Sequence, residues 1–339
     1  HSQVQALRLS VQMSYVRNAS VCALTLIVWQ TACSWAFRSA PTVRNPRLLL
    51  AAPVTPLISP KQRTYFATCF NACEDILHHE LGSDRIRAHN IRRLRRGCEF
   101  QGDFATALRT VMWSRTAVRV MERIGELGPV RSADELLERA KTVPWPDYIA
   151  DGQTIKVETV GVAARLTHSH FNALTVKNAV VDAMQTAGRR RPPVSVREPH
   201  VSVHVYVHDT GVQVYRSLGG SASLHKRGNR DVIHKAALKE TVAAAGLFFA
   251  GFDTTASLTK VLCDPMCGSG TIPIEAALIA ADTAPRLVAL GQACAPGAVD
   301  PGTINARILV ERAEHSKVIP ALRWVDADRQ AWEQVLQDA

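Results

Sequence analysis

The stretch that most constrains this chain is Val261-Leu-Cys-Asp-Pro-Met-Cys-Gly-Ser-Gly-Thr-Ile-Pro-Ile-Glu-Ala-Ala277. Its pattern predicts a short buried strand over Thr259 to Asp264, a glycine loop, and a helix over Thr271 to Ala281. Gly268 and Gly270 carry no Cβ, so the backbone there can approach a ligand closely. Pro273 is tolerable because it falls in the first helical turn. A dinucleotide fingerprint needs a third small residue where Pro273 stands, and a P-loop needs Gly-Lys-Ser/Thr, which is absent. Both are disfavoured. What is left is a nucleotide-type cofactor cradle of another kind, with helix amides from Thr271 onward turned toward the ligand.

Charge is unevenly spread along the 339 residues. Residues 1 to 60 hold five arginines (Arg8, Arg17, Arg38, Arg44, Arg47) and no Asp or Glu, half of the net +10. An Arg-bearing, acid-free leader predicts targeting rather than folding. Within it Val21 to Trp29 is an apolar run of signal-peptide length, short for a bilayer span, and Met13 is a candidate start. The piece from Ala32 to Pro41, centred on Phe37, resembles the cleavage region of bipartite plastid presequences in algae with secondary plastids. A plastid is the expected location, with mitochondrion or cytoplasm as alternatives. A secretory signal, a membrane anchor and a mispredicted exon are other readings of the same residues. Each leaves the leader outside the fold, and stable membrane association of the mature form is not expected.

From Arg63 the pattern is strand, helix, strand, strand, helix, strand, the order of a ferredoxin-like domain. Thr64 to Thr68 opens it. Asn71 is placed to cap a helix bearing Ile76, Leu77 and Leu81. Short strands are expected over Arg85 to Asn90 and Cys98 to Gln101, then a helix capped by Asp103 with Phe104, Leu108, Val111 and Met112 inward, then a strand over Ala117 to Met121. Residues 61 to 120 carry eleven Lys plus Arg against six Asp plus Glu. Arg92, Arg93, Arg95 and Arg96 form the densest cluster, expected in the loop between two strands and suited to RNA phosphates.

Ser132-Ala-Asp-Glu135 is a capping box for a helix with Leu136, Leu137 and Ala140, ended by Pro144-Trp-Pro146. A strand over Thr154 to Val160 and a helix over Phe171 to Ala187 follow, the helix with Val176, Ala179, Val180, Ala183 and Met184 on one face. His200 to His208 alternates valine with polar residues, which predicts one packed face and one wet face bearing His200, His204 and His208. Alternate residues on a strand stand about 6.8 Å apart, so these histidines do not close on one metal. Arg189, Arg190 and Arg191 make a second basic loop, or complement the dipole of the preceding helix. Lys235 to Phe249 is expected as a helix with Leu238, Val242, Ala245 and Phe249 inward. The eight cysteines include no CxxC pair and are read as reduced, small apolar residues; no metal is expected.

The string Asp264-Pro-Met-Cys-Gly-Ser-Gly-Thr271 followed by Ile274-Glu-Ala-Ala277 resembles motif I of S-adenosylmethionine-dependent RNA methyltransferases that carry a THUMP domain. The likeness is to the large-subunit rRNA guanine-N2-methyltransferases in particular. Leu224-His-Lys-Arg-Gly-Asn-Arg230 resembles that family's His-x-Arg-Gly-Tyr-Arg segment, with Asn229 in place of the aromatic, and Lys239-Glu-Thr241 also matches. Leu174 to Ala183 is similar to the run in the family's THUMP helix. The resemblance extends from about Arg63 to Ala339 and implies an α+β amino-terminal half, ferredoxin-like plus THUMP, followed by the start of an α/β Rossmann-like methyltransferase domain. The implied divisions are a leader at 1–60, the ferredoxin-like domain at 61–124, THUMP at 125–217 and a partial methyltransferase domain at 218–339.

That resemblance implies S-adenosylmethionine as cofactor and structured RNA, above all large-subunit rRNA, as partner. Asp264, Met266, Gly268 and Gly270 would line the loop, with the backbone of Ser269 and Thr271 on the methionine moiety. Arg92, Arg93, Arg95, Arg96 and Arg189 to Arg191 would face RNA, and His225, Arg227 and Arg230 would close over the cofactor or meet the RNA. Glu275 is left out of the set, an exposed helix position being the alternative reading for it. In the family an Asn/Asp-Pro-Pro-Tyr/Phe tetrapeptide polarises the guanine amine. No such tetrapeptide occurs here, Arg191-Pro-Pro-Val194 lacking both acceptor and aromatic, so no catalytic residue is assigned. The chain is expected to be a truncated piece of a methyltransferase, inactive alone. A non-catalytic RNA-binding protein and a tRNA-modifying relative are the alternatives.

Overall fold

The computed structural model describes residues 62–161, 163, 166–220, 223–227, 237–254, 257, 259, 261–286 and 335. The leader, Asn229 and Arg230 lie outside the described residues.

The first six elements are β1 (Arg63–Thr68), α1 (Glu74–Gly82), β2 (His89–Leu94), β3 (Gly97–Gly102), α2 (Phe104–Trp113) and β4 (Arg119–Gly128). This is the ferredoxin-like order. Asp103 caps α2 by accepting from the Thr106 amide at 2.7 Å, and Phe104, Leu108, Val111 and Met112 are buried with Tyr65, Leu77, Leu81 and Phe100 in one core. Asn71 does not cap α1. Ala72 takes a left-handed backbone, φ 66, so the helix starts later, with Cys73 at the cap position and no side-chain cap bond.

The next elements are α3 (Ala133–Lys141), α4 (Trp145–Tyr148), β5 (Ile155–Val160), α5 (Ser169–Thr186), β6 (Val201–His208) and β7 (Gly211–Ser217). Ser132 caps α3 through the Glu135 amide at 3.1 Å, and Glu135 reaches back one residue beyond the usual box to the Arg131 amide at 2.7 Å. Pro144-Trp-Pro146 turns the chain into α4. The indole of fully buried Trp145 donates to the Ala140 carbonyl at 2.8 Å, adding to the backbone bond that this carbonyl receives from the Val143 amide at the end of α3.

The seven strands among the described residues form one sheet in the order β2-β3-β1-β4-β7-β6-β5. β4 makes this possible. It pairs with β1 over Arg119 to Glu122 and with β7 over Met121 to Gly128, with register shifts near Gly125 and Gly128. The strand is therefore longer than Ala117 to Met121, because bulges absorb the glycines that break its alternation. The strand read over Arg85 to Asn90 is β2, displaced toward Arg92 and Arg93: it is a sheet edge with almost every residue exposed, so no apolar alternation marks it.

β6 lies between β7 and β5 and is buried on both faces. This corrects the wet-face reading of its histidines. His204 is 4% exposed, while His200 and His208 at the strand's ends are exposed.

After β7 the described helices are α6 (Glu240–Phe249) and α7 (Thr271–Ala280), packed through Leu247, Phe252, Ala276 and Ile279. Leu238 and Phe249 are 42% and 65% exposed, against expectation. α6 is apolar on nearly every side, so periodicity does not select its buried face. Val261 to Asp264 forms no ladder among the described residues, and Val261 is 68% exposed. A parallel strand exists through its neighbours, and no described strand lies beside it.

Candidate functional site

The loop before α7 is shaped by two left-handed glycines, Gly268 at φ 54 and Gly270 at φ 79. Asp264 folds the entry, its Oδ1 accepting from the Met266 amide at 3.1 Å. The Gly270 amide donates to the Cys267 carbonyl at 2.8 Å. Gly270 then caps α7 without a side chain. Met266 projects into solvent, 89% exposed. A Cβ on Gly268 would meet nothing nearer than the Met266 carbonyl oxygen at 4.0 Å. The space around Gly268 is therefore open at the start of α7, where Pro273 carries no N–H. Ser269 is half-buried and Thr271 buried.

Behind the loop lies a buried charge cluster that the sequence does not announce. Arg227 is 1% exposed and Glu275 is 0% exposed, and the two are ion-paired. Arg227 also donates to the Arg115 carbonyl at 2.6 Å. Burial raises the Glu275 carboxyl against the opposing pull of Arg227 and Arg115. Burial, reinforced by Arg227, lowers Arg115. Arg227 is thus removed from the RNA-facing set, and the exposed alternative for Glu275 is ruled out. Its one signal was a lone carboxylate inside the apolar run Ile272 to Ile279. His225, two residues earlier, is half-buried, and burial together with Lys239 and Lys226 lowers its pKa against the pull of Glu240.

The four arginines of the first basic cluster divide into two kinds. Arg92 and Arg93 belong to β2 rather than to a loop and are engaged in ion pairs, Arg92 with Glu99 at 2.9 Å and Arg93 with Asp75. Arg95 and Arg96 form the exposed β2–β3 turn. In the second cluster Gly188, at φ 70, ends α5; Arg189 reaches Asp151 at 3.3 Å, and Arg190 and Arg191 are exposed. The clusters are not one patch. Arg92 to Arg96 mark one edge of the sheet and Arg189 to Arg191 lie near β5 at the other, six strand spacings or about 29 Å apart.

Among the described residues no group of His, Cys, Asp and Glu could hold a metal ion, and no helix is long and apolar enough to cross a membrane.

Three family descriptions match in succession: an RlmL ferredoxin-like domain over residues 64–121, a THUMP domain over 130–216, and an RMKL-like methyltransferase domain over 227–334. The chain belongs to the THUMP-domain rRNA methyltransferase family. It is 36% identical over 221 residues to the ribosomal RNA large subunit methyltransferase K/L of Magnetococcus marinus, covering 65% of this chain and 30% of that protein. It is 32% identical over 287 residues to a candidate RNA methyltransferase of Synechocystis, covering 85% of this chain and 66% of the relative. A Listeria monocytogenes structure, described as a predicted N6-adenine-specific DNA methylase, superposes with a TM-score of 0.59 at 30% identity, over 67% of this chain and 57% of the other. This THUMP-family chain thus spans less than a third of the length of the K/L relative it matches.

Proposed function

We propose that this protein holds structured RNA on its ferredoxin-like and THUMP domains and S-adenosylmethionine at the Asp264–Thr271 loop, serving transfer of a methyl group to the exocyclic N2 of a guanine in large-subunit rRNA. The observation that carries this reading is the succession of three matched domains, the third of which contains a glycine loop with both glycines left-handed. The loop's chemistry fits the cofactor. Open space at Gly268 beside the start of α7 suits a carboxylate-bearing amino-acid moiety, and exposed Met266 offers a soft apolar contact.

S-adenosylmethionine, when bound, supplies an electrophilic methyl on a sulfonium. This chain's residues bind and orient: Asp264 fixes the loop's turn, Gly268 and Gly270 keep its inner wall clear, and the start of α7 presents amides. Guanine N2 is a weak nucleophile because its lone pair is delocalised into the ring, so the reaction depends on holding the amine in line and polarising its hydrogens. No residue here is assigned that polarising role. RNA docking by phosphate contact suits exposed arginines at both edges of one rigid sheet. The acid-free leader supports action in a plastid, tested by fusing residues 1–60 to a fluorescent protein.

Calorimetric titration of the full chain with S-adenosylhomocysteine, alongside gel shifts with unmodified large-subunit rRNA and with tRNA, tests the reading. Binding of both the cofactor product and rRNA is expected. RNA binding without cofactor binding would leave a non-catalytic RNA-binding protein, and preference for tRNA would change the substrate.

A further inference from the structure

The helix after the cofactor loop is held by the ferredoxin-like domain through a chain of polar contacts, part-buried at Glu80 and buried at Arg227 and Glu275. Glu80 on α1 accepts four hydrogen bonds from the turn between α2 and β4: from Ser114 Oγ at 2.8 Å, the Arg115 amide at 2.8 Å, the Thr116 amide at 3.1 Å and the Thr116 hydroxyl. That turn presents Arg115, whose guanidinium donates to the carbonyls of Leu278 at 3.2 Å and Thr283 at 2.9 Å, at the end of α7. The Arg115 carbonyl receives Arg227, and Arg227 grips Glu275 in the middle of the helix. α7 is therefore fixed at two points. Glu275 stands four residues from Thr271, about 6 Å along the axis from the loop.

The cluster is poorly built for stability alone. Arg115 Nη1, Arg227 Nε and Glu275 Oε1 are buried with no hydrogen-bond partner among the described residues. A buried ion pair with unused donors and acceptors contributes little over apolar residues of the same volume. What it does supply is direction: the contacts are satisfied at one rotation and one height of α7 against the ferredoxin-like domain.

We propose that Glu80, Arg115, Arg227 and Glu275 are positioning residues through which the ferredoxin-like domain sets the orientation of α7 and so of the cofactor loop at its start. The inference rests on reading Asp264–Thr271 as that loop. Binding of RNA by the amino-terminal half and binding of the cofactor are then coupled through one rigid connection.

The test uses the full chain with Glu80→Gln, which sets an amide donor against the donors of the turn, and with Arg115→Lys, which keeps the charge but not the two-carbonyl grip. Hydrogen exchange is followed at the first hydrogen-bonded amides of α7, Ile274 to Ala276, and at β5 to β7. About tenfold faster exchange in α7 with unchanged exchange in β5 to β7 is expected, together with about five- to tenfold weaker binding of S-adenosylhomocysteine. If both variants lower the melting temperature while exchange in α7 stays at wild-type rates, the relay is overturned. Should Glu80→Gln fail to fold, Arg115→Lys decides alone. A wild type that binds no S-adenosylhomocysteine refutes the cofactor reading, and the exchange arm still decides whether the relay orients α7.

Discussion

Glu122 of β4 and Arg216 of β7 meet at 2.5 Å with their side chains 3% and 5% exposed, at the seam where the ferredoxin-like and THUMP strands share one sheet. Arg63 of β1 reaches the other carboxylate oxygen at 3.1 Å, and the Arg216 guanidinium lies over the Tyr148 ring at 5.0 Å. One carboxylate thus ties three strands and α4. Its removal leaves Arg216 buried without its counter-ion. Glu122→Gln is expected to destabilise the chain by about 3 kcal/mol or more, and the double variant Glu122→Gln/Arg216→Met by much less. Urea unfolding of both measures it; an additive double variant would show that the pair is not coupled.

His204 gives the sheet a pH dependence. Burial first, then the Arg119 charge, hold its pKa down to about 4 against the pull of Glu158, 3.5 Å away, and Lys156 adds to the lowering. The unfolded chain titrates this histidine near about 6.5. Between those values the unfolded state binds more protons, so the stability from the neutral ring is complete above about pH 6.5 and is lost as pH falls toward 4. The loss is on the order of a few kcal/mol across that window. Denaturant midpoints from pH 7 to 4.5 are expected to fall less steeply in His204→Gln, and parallel slopes would remove His204 as the cause.

Much of this was legible in the sequence, and most of what was not, the Asn71 cap aside, shares a physical reason. Capping at Asp103 and Ser132 is local chemistry and was readable. The apolar faces of α2 and α5 were readable because periodicity follows a helix of mixed composition. β2 was misplaced because an edge strand rich in arginine is defined by its partner, not by its own pattern. His204 was placed on a wet face because alternation shows which residues share a face, while neighbouring strands and side chains decide whether that face meets water. Arg227 was misassigned and Glu275 left out because the pairing that buries them spans 48 positions. No local pattern encodes it.

Gly270 is expected to be intolerant of any side chain for backbone reasons. A Cβ there would stand 3.6 Å from Ile274, an ordinary contact, but at φ 79 an L-residue is strained by about 1 kcal/mol. Gly270→Ala should lower stability by about that amount and weaken S-adenosylhomocysteine binding. Gly246, inside α6 with open space around its Cβ position, is the control: Gly246→Ala should stabilise by roughly 0.5–1 kcal/mol and leave binding unchanged. Equal behaviour of the two variants would contradict the conformational role of Gly270.

The basic turn of the ferredoxin-like half separates phosphate contacts from structural ion pairs. Arg95 and Arg96 project from the β2–β3 turn, whereas Arg92 is held by Glu99 and Arg93 by Asp75. A guanidinium already paired with a carboxylate displaces fewer counterions when it approaches a phosphate. Each phosphate contact contributes roughly 0.7–0.9 to the slope of log K against log salt. Arg95→Ala/Arg96→Ala is therefore expected to lower that slope by about 1 to 2 and to weaken binding of different RNA sequences alike. Arg92→Ala/Arg93→Ala should change the slope by less than half as much, while lowering stability by up to about 1 kcal/mol because the pairs are exposed. Fluorescence anisotropy with one labelled rRNA fragment across a salt series distinguishes them. Equal slopes for the two variants would mean that the ion pairs open on binding and that all four arginines meet the RNA.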